Sequence, residues 1–134
     1  MKWLLDSNAC IQYLNGRVPA LRRRIDGTGD ANLLVCSVVK AELAFGAAGS
    51  RDPIKARAEQ HRFLSQFVSL TFDDAAAQIY GNIRHDLTRT GRLIGGNDLL
   101  IAAIALANGV TLVTHNTSEF SRVPGLIIED WEQP

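Results

Sequence analysis

Asp6, Glu42, Asp98 and Glu119 lie far apart along the 134-residue chain, yet each stands where an apolar strand or helix starts or stops. Asp6 ends Lys2-Trp3-Leu4-Leu5, and Glu42 sits within Ser37-Val38-Val39-Lys40-Ala41-Glu42-Leu43. Asp98 opens an apolar stretch that runs to Ala105, and Glu119 follows the strand-like Thr111-Leu112-Val113-Thr114. A carboxylate beside apolar segments is costly unless a cation or a hydrogen-bond donor compensates it. Gathered by a fold, these groups form an oxygen-only cage that suits Mg²⁺ or Mn²⁺, and with it phosphoryl chemistry.

The elements that must gather them alternate short β-like runs with helix-like stretches, the pattern of a parallel sheet covered by helices. Trp3-Leu4-Leu5 reads as a first buried strand. Cys10, Ile11 and Leu14 follow at helical spacing, with Asn15-Gly16 as the stop, and a short helix then carries Leu21 and Ile25. Leu33 to Cys36 is a second strand, with Ser37 as the expected N-cap of the next helix. Pro53 fits a first helical position, and Ile54, Ala58, His61, Leu64 and Phe67 are expected to share one inward face, which would make His61 a core residue. A strand over 68–72 leads to a helix capped by Asp73 or Asp74, with Ala76, Ile79, Tyr80, Ile83 and Leu87 inward and Gly91 at its end. Asp98 to Ala107 is apolar all round and reads as a central buried helix closed by Asn108-Gly109. Strands over 111–114 and 126–128 complete the order. In such sheets sites form outside the carboxyl ends of the strands, where Asp6, the start of the Ser37 helix and the segment after Thr114 all fall. A helix dipole favours an anion in the first turn, where Asp98 sits.

Bulk properties exclude several classes. The length suits one domain over 1–134 with a core that needs no staples. Hydrophobic residues at 46% and charged residues at 21% are ordinary for a soluble globular protein. No apolar run reaches membrane-span length, and the start of the chain does not read as a signal peptide, so a cytoplasmic location is expected. Cys10 and Cys36 read as reduced, buried thiols. Fourteen basic residues balance 14 acidic ones, which disfavours a generic nucleic-acid binder; neutralising the four carboxylates with metal would tip the balance basic.

Four segments, in order, carry a resemblance: Leu4-Leu5-Asp6-Ser7-Asn8, Ser37 to Leu43, Ile94 to Ala103, and Val113-Thr114-His115-Asn116-Thr117-Ser118-Glu119-Phe120. Together they resemble the motifs of PIN-domain ribonucleases, and Arg122 to Leu126 with Glu129-Asp130-Trp131 resembles the ending of the VapC toxins within that family. The resemblance implies a three-layer α/β/α fold with a central, mainly parallel sheet. It also implies an endoribonuclease dependent on Mg²⁺ or Mn²⁺ that serves as the toxin of a toxin–antitoxin pair. Asp6, Glu42 and Asp98 match the family's most regular acidic positions, with Ser7, Asn8 and Thr114 as supporting polar residues. At the fourth position many members carry Asp soon after the Thr; here Asn116 stands there and Glu119 three residues on, so both remain candidates. The partners implied are a VapB-type antitoxin that pushes a basic side chain into the acidic site, a second copy of the toxin, and an RNA substrate. That substrate is a structured RNA such as tRNA, with initiator tRNA as the narrowest family-level guess. Ile11 and Leu14 are candidate interface residues.

Other readings compete for the same residues. A helix start accounts fully for Asp73-Asp74. Ser37-Val38-Val39-Lys40 matches a serine-hydrolase S-x-x-K pattern without its companion motifs. His61, His85 and His115 lack zinc-ligand spacing, and His115 reads as a loop residue near the site. Arg22-Arg23-Arg24 and Arg84, Arg89 and Arg92 read first as solvated faces, with RNA guidance as the minority reading. A non-catalytic PIN-like RNA-binding module is the main alternative function. A phosphohydrolase needs a second Asp two residues after its nucleophile, and position 8 is Asn.

Overall fold

The computed structural model describes residues 1–133. Five parallel strands form one sheet: β1 (Trp3–Leu5), β2 (Leu33–Cys36), β3 (Val68–Leu70), β4 (Thr111–Val113) and β5 (Ile128–Glu129). Their spatial order is β3-β2-β1-β4-β5. β1 is therefore central, with Leu4 opposite Leu34 on one side and Leu112 on the other. Continuous burial along β2 and β4 fits a parallel sheet covered on both faces. The helices are α1 (Ser7–Asn15), α2 (Pro19–Thr28), α3 (Ser37–Ala48), α4 (Pro53–Leu64), α5 (Asp74–Arg89), α6 (Gly96–Asn108) and α7 (Thr117–Phe120). They flank the sheet in the expected three-layer α/β/α arrangement.

Local chemistry sets the helix limits. The Asp6 side chain caps α1, and Gly16 ends it in the left-handed region at φ 69°. Asp52 caps α4 ahead of Pro53, and Asp73, rather than Asp74, caps α5. α6 is the central helix: Leu99 and Ile101 to Ala105 are all buried, and Gly109 closes it at φ 63°.

Three expectations need correction. Ser37 is the first residue of α3, and Cys36 holds the cap position without a side-chain bond. The helix starts directly from a fully buried strand, so there is no loop residue to turn back and cap it. Ile54 is 82% exposed and His61 is exposed as well, so the inward face of α4 is carried by Phe63 and Leu64 at its end. The reason is that α4 packs on α3 and not on the sheet centre, so burial is shallow along most of its length. The strands β3 and β5 are also displaced or shortened relative to 68–72 and 126–128. Cys10 and Cys36 are free and buried, and burial pushes the Cys10 thiol up.

Candidate active site

Asp6 follows β1 at the carboxyl edge of the sheet, where its backbone N–H donates to the Val113 carbonyl of β4. Its side chain is 5% exposed and accepts from the Ala9 N–H at 2.8 Å. β2 and β4 flank β1, so whatever follows them is delivered to either side of Asp6. From β2 comes α3, which brings Glu42. From β4 comes the turn with Thr114, Asn116 and Glu119. α6 runs into β4 and so begins at this same edge, with Asp98 in its first turn.

The electrostatics show which of these groups act on one another. Burial raises the Asp6 carboxyl to about 6, and the charges of Asp98 and Glu42 raise it too, against hydrogen bonds from Thr114 and Ala9 that lower it. Burial likewise raises Asp98 to about 6, helped by the charges of Glu119 and Glu42 and by a hydrogen bond shared with Glu119. Four carboxylates therefore feel one another across the strand ends, with no cationic side chain among the causes that set either value.

Hydroxyl and amide groups hold the outer members. The Ser7 hydroxyl donates to Glu42 Oε1, and Asn116 Nδ2 donates to Glu119 Oε2 at 2.8 Å. Thr114 is buried, and its Oγ1 accepts from the Asn116 N–H at 2.9 Å while its hydroxyl bonds Asp6. Asn116 and Glu119 thus act as one unit, the amide steering the carboxylate. Asn8 is not brought into the cluster: it is exposed, and its side chain lies 3.5 Å from Glu132 in the C-terminal segment. The Ser7–Glu42 link was not legible in the sequence, because the two residues belong to different helices.

The donor set suits a hard divalent cation, since it offers carboxylate oxygens with an amide and hydroxyls behind them and no sulfur or imidazole. Among the described residues, no three acidic, His or Cys side chains are already drawn in round a common metal position. Glu42 and Glu119 take neutral donors instead, the Ser7 hydroxyl and the Asn116 amide.

A second acidic patch borders the first. His115 Nδ1 lies 2.9 Å from Asp130 Oδ2 and 3.9 Å from Glu132 Oε2. The Asp130 hydrogen bond and the nearby carboxylates raise the His115 ring's pKa. Trp131 between them is buried against Trp3 and Arg24. Arg24 reaches Glu129 Oε1 at 3.5 Å, so the chain's end is tied to the sheet and to α2.

Comparison with known proteins identifies the family. The family model "PIN domain" matches residues 3–126. The tRNA(fMet)-specific endonuclease VapC of Shigella flexneri is 38% identical over 131 residues, covering 98% of each chain. Among solved structures, the DNA-bound VapBC of Salmonella typhimurium superposes with a TM-score of 0.92 at 35% identity, covering 98% of both chains. VapBC2 of Rickettsia felis, bound to a DNA fragment from its promoter, gives 0.90 at 33% identity, covering 98% of this chain and 99% of that one. The chain belongs to the PIN-domain family. Within it, the relatives it resembles along nearly its whole length are VapC ribonucleases.

Proposed function

We propose that this chain is the toxin of a VapBC-type pair, an endoribonuclease that uses Mg²⁺ or Mn²⁺ to cut a structured RNA, with tRNA, and initiator tRNA in particular, as the target. The observation that carries the reading is the set of carboxylates at the strand ends, two of them raised to about 6 without a compensating side-chain cation. Asp6, Glu42, Asp98 and Glu119 are the residues that would hold the cation. When bound, such an ion supplies positive charge at a phosphate oxygen and a water acidic enough to attack phosphorus in line. The protein's own contribution is positioning: Thr114 and the Ala9 N–H orient Asp6, Ser7 orients Glu42, and Asn116 orients Glu119. Cleavage would leave a 5′-phosphate and a 3′-hydroxyl.

The partner reading has its own support. A groove of ≈ 480 Å³ beside Glu42 is lined by Ile11, Leu14, Leu43 and Ala47, an apolar surface next to an acidic one. An antitoxin segment with apolar anchors and one basic side chain would complement both parts. The names of the relatives point the same way: VapBC complexes are toxin with antitoxin, and the Shigella protein is named for tRNA(fMet).

The test is incubation of the protein with total tRNA and Mg²⁺ or Mn²⁺, beside Asp6→Asn and Asp98→Asn variants. Metal-dependent cutting that both substitutions abolish is the expected result. Cutting that survives chelation or either substitution overturns the assignment. A folded protein that binds Mn²⁺ nowhere near these residues would favour a non-catalytic RNA-binding module.

A further inference from the structure

A second concave surface opens beside the carboxylate cluster, and its chemistry is opposite. α3 and α4 are joined by the short connection 49–52, so they run antiparallel, and the end of α4 stands beside the first turns of α3 before the chain enters β3, whose Val68 pairs with Leu34. Between them lies a cleft of ≈ 310 Å³ whose polar lining is Lys40, Arg57, Gln60, His61 and Ser65. No carboxylate lines it. Gln60 is committed to the Leu43 carbonyl at 3.0 Å, which ties the two helices together. Lys40, Arg57 and His61 form no ion pair among the described residues.

What marks this cleft is that two cations and a histidine line one concavity without a carboxylate; several of the chain's other basic groups are held by neighbours. Arg24 is spent on Glu129 and the Trp131 ring, Arg22 lies over Tyr13, Arg84 is held by Tyr80, and Arg122 donates to the Leu93 carbonyl. On α3, Lys40 and Glu42 are two residues apart and so point about 200° from each other. One helix therefore turns a carboxylate toward the cluster and a cation toward the cleft. A helix with its side chains is about 10–12 Å across, which is the span of a few nucleotides of backbone.

We propose that the α3–α4 cleft docks the phosphate backbone of the RNA, with Lys40 and Arg57 pairing phosphates a few nucleotides from the one to be cut. The inference rests on the ribonuclease reading above. It explains how a chain of zero formal charge, with an acidic site, holds a polyanion: the cation at the site neutralises the scissile phosphate, and this cleft pairs with the phosphates beside it. His61 and Ser65 add hydrogen-bond donors in the last turns of α4 and just after it.

The experiment measures binding of unfractionated tRNA with metal chelated, so that no cutting occurs, between about 50 and 200 mM salt. Wild type is compared with Lys40→Gln/Arg57→Gln and with Lys55→Gln, an exposed cation on α4 that does not line the cleft. Removing one cation–phosphate pair flattens the log–log salt slope by about 0.7 to 0.9. The double variant should lose between one and two units of slope, bind about 10-fold or more weakly near 0.1 M salt, and raise KM for cleavage far more than it lowers kcat. An unchanged slope in the double variant overturns the proposal, as does an equal loss in Lys55→Gln, which would mark a general charge effect. If wild type fails to cut RNA with metal present, the ribonuclease reading fails on its own account. If it cuts and the slopes coincide, only the cleft is wrong.

Discussion

Asp6 and Asp98 stand near pH 6, whereas Asp130, across the turn that follows β4, stands below its ordinary value. The residue types are the same and the regions adjoin. For Asp130, burial works upward but is outweighed by the Glu132 N–H, His115 and Gln133. For Asp6 and Asp98, burial is the leading cause and is reinforced by other carboxylates. The difference teaches how to tell a carboxylate that is already satisfied from one kept short of positive charge. Asp130 fastens the end of the chain; Asp6 and Asp98 hold a deficit that a divalent cation would fill.

Substitutions in the two regions should separate them most strongly. Asp98→Asn should lower RNA cleavage on the order of 10³-fold, the several kcal/mol that a lost metal site represents, when initial rates are followed with Mn²⁺ present. Asp6→Asn should do the same while keeping the fold, because Asn also caps a helix start. Asp130→Asn should instead leave cleavage within a few-fold and cost no more than about 1 kcal/mol of stability by denaturant unfolding, since the pair with the exposed His115 is partly screened. Equal losses from Asp130→Asn and Asp98→Asn would dissolve the distinction.

Metal should separate the regions next. At about 100 times its dissociation constant, Mn²⁺ stabilises by about 2.7 kcal/mol, a rise of roughly 10 °C in a thermal melt at this chain length. The rise should vanish in Asp98→Asn and persist in Asp130→Asn. A smaller effect concerns Asn116: its replacement by Ala should lower Mn²⁺ affinity roughly 10-fold through loss of Glu119 orientation, and Glu119→Gln more than that. If Asn116→Ala proves the more damaging of the two, the amide and not the carboxylate is the fourth ligand.

Without metal, the stability of the protein should depend on pH. Asp6 titrates at 3.8 when unfolded and at about 6 when folded, so the folded chain binds the extra proton between those values. Its contribution to stability is complete below about pH 4 and is lost as pH rises through 6, on the order of 2–3 kcal/mol. Unfolding of the chelated protein should therefore show a fall in stability over that window, and Asp6→Asn should flatten it. Asp130, lowered, contributes in the opposite sense: its share is present above pH 4 and disappears on further acidification.

Much of the site was legible because its residues sit at element boundaries. Asp6 after an apolar triplet, Asp98 at the head of an apolar helix and Thr114 at a strand end follow from period and punctuation alone. Glu42, within the helix that follows the second strand, stands out with them, and the family motifs match it as well. What stayed hidden were links between distant elements: Ser7 with Glu42, His115 with Asp130 and Arg24 with Trp131. His61 shows the converse. Its helical spacing with Leu64 suggested the core, but α4 rests on α3, and the histidine faces the cleft.

The sequence by itself determined the alternation of strands and helices, and the acidic residues that fall at their ends, because hydrophobic periodicity and caps are local properties. It also held the fourth position at a choice between Asn116 and Glu119. Only the tertiary structure joined those two into one hydrogen-bonded unit, set β1 between β2 and β4 so that the segments carrying the carboxylates reach one edge of the sheet, and turned Lys40 away from Glu42 into a basic cleft. Those outcomes depend on strand order and helix packing. Both are decided by which apolar faces find each other across the whole chain, and no local window of sequence contains that information.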